Sequence, residues 1–217
     1  MTKRSILVIG LGRFGVSTAT TLANLGHEVV VVDQREEYIN AVKDTVLHAM
    51  QADTTDERVL ERLGVRNFDV VVICIGDDLR ASILTTVLCR ELGARTIIAK
   101  ASDALHAKLL EKTGADRVVQ PELDGGVRLA RSISSKAIID TLDLSDGHSI
   151  AELRVPKSWI GKTLVGLNAR VKYGINVIAI RHGGHVMDTV NPDLPLNAED
   201  TLFVIGSNAS IEKLENR

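Results

Sequence analysis

Aromatic side chains are scarce: one Trp, two Tyr and three Phe in 217 residues, or 3% of the chain. Rings are what stack on unpaired bases, so this composition does not describe a single-strand nucleic-acid binder. Neither sign of charge is in excess. The formal net charge is -2, and 26 basic residues are interleaved with 28 acidic ones. No basic stripe forms, which argues against a DNA-binding surface. Cysteine is limited to Cys74 and Cys89, far apart and each in an apolar setting. That argues against a disulfide framework or a zinc site and predicts two buried free thiols in a reducing cytosol. Long apolar runs are lacking too: nothing approaches the roughly 20 apolar residues that cross a bilayer. Met1-Thr2-Lys3-Arg4 has no signal-peptide pattern and leads directly into an apolar stretch. A cytoplasmic protein is expected, with no direct membrane insertion; any membrane role comes through a partner.

Catalytic sets are missing as well. The histidines at 27, 48, 106, 148, 182 and 185 form no His-Glu-x-x-His or similar group. His182 and His185 flank Gly183-Gly184 and read as exposed loop residues. Gly-x-Ser-x-Gly and Gly-x-x-x-x-Gly-Lys-Ser/Thr do not occur.

What is present is an ordinary aliphatic core (45% hydrophobic residues) and one phosphate-binding signature. Residues 6–9 are apolar and run into Gly10-Leu11-Gly12-Arg13-Phe14-Gly15, a G-x-G-x-x-G string. Gly10 permits a tight strand-to-helix turn, Gly12 leaves room for a phosphate, and Gly15 lets the helix pack close to the strand. The helix start offers free N–H groups and a partial positive charge. Residues 28–32 read as a second strand ending in Asp33, where an acid would accept a ribose hydroxyl. Such an acid suits NAD(H), ATP or ADP and disfavours NADP, with Arg35 as a partial counterweight.

Alternation continues along the chain. Helices are predicted at 16–25, 36–44, 56–63, 79–92 and 104–112, with Asp103 capping the last. Strands are predicted at 46–50, 69–75, 96–100 and 117–119. Six strands with intervening helices make an α/β, doubly wound Rossmann sheet over residues 1–122. Residues 123–142 show no strand and read as one or two helices, before a polar turn at 143–147; the stretch 123–146 is taken as a helical crossover. Residues 147–217 read as a small α+β module. Strands are expected at 150–155, 176–180, 185–187 and 201–205, and helices at 164–171 and 210–215.

Several strings together resemble the RCK proteins, regulators of potassium conductance. They are Gly10–Gly15, Asp53-Thr54, residues 73–76, residues 114–122 (GADRVVQPE) and residues 172–177 (KYGINV). The likeness runs the length of the chain. It is closest to the cytosolic gating subunits of bacterial Ktr/Trk potassium uptake systems, with a Rossmann domain and one RCK C-terminal domain. The resemblance implies a nucleotide switch, not an enzyme: ATP and ADP would bind the Rossmann domain, ATP favouring the active state and ADP the inactive one. Gly10, Gly12, Arg13 and Phe14 would hold phosphates, with Arg13 suited to a terminal phosphate. Asp33 would bind ribose, Asp53 and Thr54 would lie near adenine, and Ile75 and Gly76 would wall the site. Lys100 stands at the same rim. Glu122 would help bind a cation at a dimer interface near the phosphates. In the C-terminal domain Arg170, Ile175, Asn176 and Pro192 match positions that bind cyclic di-AMP in related proteins. Partners would be a membrane potassium channel or transporter and further copies of the chain, as a homodimer built into an octameric ring. The reading from another class is an NAD(H)-dependent Rossmann oxidoreductase.

Overall fold

A computed structural model describes residues 2–144 and 146–215; Ser145, within the predicted polar turn, lies outside the described residues. The chain divides into two compact units, Met1–Leu123 and Asp124–Arg217.

In the first unit β1 (Ser5–Ile9), β2 (Glu28–Asp33), β3 (His48–Gln51), β4 (Val70–Ile73), β5 (Ile97–Lys100) and β6 (Arg117–Val119) form one sheet. Every pairing is parallel, in the order β3-β2-β1-β4-β5-β6. This is the doubly wound Rossmann order, with the direction of winding reversing between β1 and β4. Between the strands run α1 (Arg13–Asn24), α2 (Glu36–Val42), α3 (Glu57–Leu63), α4 (Leu79–Glu91) and α5 (Ala104–Thr113).

The strands are apolar throughout because both faces are covered. Leu7 and Ile9 of β1 pack with Val71, Ile73, Ile97 and Leu110. Ile6 and Val8, pointing the other way, pack with Val29, Val31 and Val72. Helix starts are set by acids. Asp56, Asp78 and Asp103 accept the N–H groups of Arg58, Ala81 and His106 at 3.0, 2.9 and 2.8 Å. Each such cap contributes about 1 kcal/mol. One sheet face keeps an apolar groove of about 530 Å³, lined by Ile6, Phe14, Leu22, Val72, Ile98 and Val119 among others.

The second unit takes in most of α6 (Pro121–Ser134). It continues with β7 (Ile138–Asp143), β8 (His148–Arg154), α7 (Leu164–Leu167), α8 (Ala169–Tyr173), β9 (Ile175–His182), β10 (His185–Met187), β11 (Thr201–Ser207) and α9 (Asn208–Glu215). Its sheet is antiparallel, in the order β10-β9-β11-β8-β7. The core gathers Leu153, Leu167, Ile175, Leu202 and Leu214 around Trp159, whose ring lies 4.8 Å from that of Tyr173.

Two local expectations are corrected. Residues 123–142 are not all helical, because β7 pairs with β8 as the sheet's edge. The predicted helix at 164–171 is two short ones. Asn168 between them takes the left-handed conformation (φ +47°), which Asn tolerates better than most residues.

Candidate functional site

Where the sheet order reverses, the loops after β1, β2, β3 and β4 line a cavity of about 280 Å³. Gly10, Gly12, Asp33, Thr54, Ile75 and Gly76 line it, together with Gln34, Arg35 and Asp78. The loop geometry follows from its glycines. Gly10 has φ +89°, and a Cβ there would sit 3.1 Å from the Cys74 carbonyl carbon and the Ile75 nitrogen. A Cβ on Gly15 would lie 1.9 Å from the Gly10 carbonyl oxygen, so α1 packs onto the loop only because that side chain is missing. Gly12 differs: its φ is an ordinary -64°, and an added Cβ would meet nothing within 4 Å. Its bareness leaves open space at the start of α1, where a phosphate would approach unpaired N–H groups.

Asp33 is tied to this loop. Its Oδ2 accepts the Leu11 N–H at 2.6 Å and its Oδ1 accepts the Arg35 N–H at 2.8 Å. The Arg35 guanidinium lies 3.9 Å over the Tyr38 ring, with its Nε 3.7 Å from Asp33. Thr54 is buried and shares a 3.1 Å hydrogen bond with Thr85 of α4. Cys74 and Cys89 are buried free thiols, as the composition predicted, and burial pushes both up to about 12. Cys74 on the cavity wall is therefore no nucleophile at neutral pH.

The remaining expected residues sit around the cavity and do not line it. Arg13 is exposed at the first position of α1. Phe14 turns to the apolar groove on the sheet face. Asp53 is occupied locally: the Thr55 hydroxyl and N–H donate to it at 2.7 and 2.9 Å and hold its carboxyl below the usual range. Lys100, at the end of β5, pairs with Glu122 at 2.6 Å. That hydrogen bond, with the charges of Lys100 and Arg13, holds the Glu122 carboxyl below its ordinary range. No group of three or more His, Cys, Asp or Glu gathers among the described residues.

The second unit has its own cavity, of about 400 Å³. Arg170, Ile175, Asn176 and Pro192 all line it, with Val165 and Asn168. His182 and His185 are exposed, as expected, but they end β9 and begin β10 and so lie outside the turn. The His182 Nδ1 lies 2.6 Å from Oδ1 of the buried Asp200.

Gln34, Arg35 and Asp78 complete the first cavity without having been assigned to it, although Gln34 and Arg35 follow directly on β2 and Asp78 lies in the loop between β4 and α4, which it caps. Their positions just after β2 and β4 were the available signal, since ligands bind at strand C-termini in such sheets. His106 was also missed. It is buried, takes the Ser102 N–H on Nδ1 at 3.2 Å and contacts the Ser82 hydroxyl through Nε2 at 3.1 Å.

Family models decide the kinship. The TrkA-N domain model matches residues 6–121 and the TrkA-C domain model matches residues 150–217. The chain belongs to the TrkA-N/TrkA-C family. Its TrkA-N part carries the glycine-loop cavity, and its TrkA-C part carries the cavity around Arg170. It is 43% identical to the Ktr system potassium uptake protein C of Bacillus subtilis, across 99% of this chain and 97% of that one. It is 41% identical to the Ktr system potassium uptake protein A of the same organism, across 98% and 96%. The fold also matches a solved GsuK channel bound to NAD, with a TM-score of 0.69 and 22% identity. This chain is covered to 99% in that match and spans 39% of the channel chain. No described helix is long and apolar enough to cross a membrane.

Proposed function

We propose that this chain is the nucleotide-sensing regulatory subunit of a potassium uptake system. It binds ATP and ADP in the TrkA-N cavity and docks on a membrane potassium channel or transporter. The observation that carries the reading is the cavity itself. A bare Gly12 at the start of α1, an acid at the end of β2 and the Ile75-Gly76 wall meet around one space. They suit, in turn, a phosphate, a ribose and a flat base. Kinship with two potassium uptake proteins over nearly the whole chain supplies the physiological setting.

The nucleotide acts here as a differential ligand. It shifts the protein between two conformations by as much as its affinities for them differ. The apolar groove beside Phe14 supports self-association, since such a face on a soluble protein is usually covered by a partner. A homodimer built into an octameric ring fits that need. In the TrkA-C part, Arg170 beside Ile175, Asn176 and Pro192 offers a guanidinium for phosphate and apolar cover for a base. That arrangement supports cyclic di-AMP as a second ligand.

Calorimetry of the full chain with ATP, ADP and NADH tests the primary site. ATP and ADP are expected to bind with different affinities, and Asp33→Ala to weaken both. Sustained NADH oxidation with a small carbonyl substrate, lost in Asp33→Ala, would replace the sensor reading with an oxidoreductase.

A further inference from the structure

The β9–β10 hairpin sets two imidazoles against each other. His182 ends β9, His185 begins β10, and the register pairs them directly across the ladder. Only Gly183 and Gly184 lie between them, at φ +56° and +84°. Two central residues at positive φ make the tight hairpin turn that fixes strand register. Directly opposed residues project from the same face, with Cβ atoms about 4.5–5.5 Å apart. The next pair along, Arg181 and Val186, projects from the other face, where Arg181 is ion-paired with Glu152.

One of the two rings is already oriented. Asp200 is 4% exposed, and its Oδ2 takes the Asn197 N–H at 2.8 Å. Its Oδ1 lies 2.6 Å from the His182 Nδ1. A carboxylate only accepts, so a neutral His182 carries its proton on Nδ1 and keeps the Nε2 lone pair. A carboxylate behind one ring nitrogen is the arrangement that orients metal-ligating histidines and makes them better donors. Among the described residues no side-chain hydrogen bond occupies His185 or the His182 Nε2. The His182 side chain is 57% exposed and His185 is exposed, so an ion reaches both rings from solvent.

We propose that His182 and His185 form a two-imidazole site for a late first-row divalent cation, Zn²⁺ or Cu²⁺. Asp200 is the positioning residue behind His182. Imidazole nitrogen suits these ions, whereas Mg²⁺ and Ca²⁺ take oxygen ligands. Two protein ligands leave the other coordination positions to water, so the ion is exchangeable. Once bound it ties the edge strand β10 to β9 across the turn and stabilises that end of the TrkA-C sheet. Neither histidine lines the glycine-loop cavity or the cavity around Arg170, so the site stands apart from the nucleotide reading.

Calorimetry tests this on the full chain, stripped with a chelator, free of nucleotide and titrated with ZnCl₂ or CuSO₄. Cu²⁺ is expected to bind more tightly than Zn²⁺. His185→Gln is expected to weaken Zn²⁺ binding at least about tenfold, since even the outer partners of metal ligands are worth that much. This exposed side chain has no hydrogen bond to lose, so the variant keeps its fold. Asp200→Asn is expected to weaken binding about tenfold while both imidazoles remain in the coordination sphere. His48→Gln, on the other unit, should change nothing. Electron paramagnetic resonance of the Cu²⁺ form should show nitrogen couplings from two imidazoles in the wild type and in Asp200→Asn, and from one in His185→Gln. Zn²⁺ should raise the melting temperature of the wild type and not that of His185→Gln. Unchanged Zn²⁺ affinity in His185→Gln, or a single imidazole in the wild-type Cu²⁺ spectrum, would overturn the site. Unchanged affinity in Asp200→Asn would overturn the role given to Asp200.

Discussion

The Oδ2 atom of Asp33 accepts the backbone N–H of Leu11 across 2.6 Å. The acid read as a ribose partner is therefore also the clasp of the glycine loop. Removing its acceptor leaves the Leu11 N–H unpaired beside a buried side chain, at a cost of about 1–3 kcal/mol. Asp33→Ala should lower stability by that amount and weaken ATP binding. Asp33→Asn, which keeps an oxygen for Leu11, should lose affinity with less loss of stability. Urea unfolding and calorimetry on the two variants separate the roles; equal stability loss in both would contradict the clasp.

Two glycines of the same loop should respond in opposite ways. Gly12→Ala adds a methyl into open space at an ordinary φ, so stability should stay within about 0.5 kcal/mol while nucleotide binding falls. Gly15→Ala pushes a methyl to 1.9 Å from the Gly10 oxygen and should destabilise by about 3 kcal/mol. Thermal unfolding with and without ATP reads both effects.

His106 makes stability depend on pH. It is buried between α4 and α5, and burial lowers its pKa from the ordinary 6.5. The unfolded chain then binds a proton that the folded chain resists. Its contribution is complete above pH 6.5 and is lost as the pH falls below that value. Urea midpoints should drop between pH 7 and pH 5, and the slope should flatten in His106→Gln. An unchanged slope in that variant would show that His106 does not carry the dependence.

Among the described residues Arg170 is the one cation lining the TrkA-C cavity. Arg170→Ala should weaken cyclic di-AMP binding at least tenfold, the loss of a charge-assisted pair, with ATP binding unaltered. Failure of the wild-type protein to bind cyclic di-AMP at micromolar concentration would remove that assignment.

Much of this architecture was legible in local sequence, and the exceptions share a cause. The six parallel strands announced themselves through apolar runs punctuated by Gly10, Gly64, Gly93 and Gly114, and Asp103 capped α5 where its position required. The strand β7 did not. Ile138, Ile139 and Leu142 fit a helical spacing as well as a strand. Only pairing with β8, through a register shift near Asp140, decides between them. Propensity cannot see such a ladder, because its partner is supplied by tertiary structure. The same holds for the contacts of the site. The glycine loop and Asp33 sit at fixed offsets in the motif. Lys100 with Glu122 and His182 with Asp200 are pairs made only when distant strands and loops are brought together. Phe14 shows the converse limit. It lies inside the motif, yet its ring turns to the opposite sheet face, because successive positions on α1 point in different directions.

Control of a transport partner by nucleotide identity is the proposed role of the TrkA-N cavity. Potassium flux into vesicles carrying the uptake subunit, with this protein added under ATP and then under ADP, tests it most directly. Flux is expected to be faster with ATP than with ADP, and Asp33→Ala to lose that difference. Equal flux with ATP, with ADP and without nucleotide would contradict it.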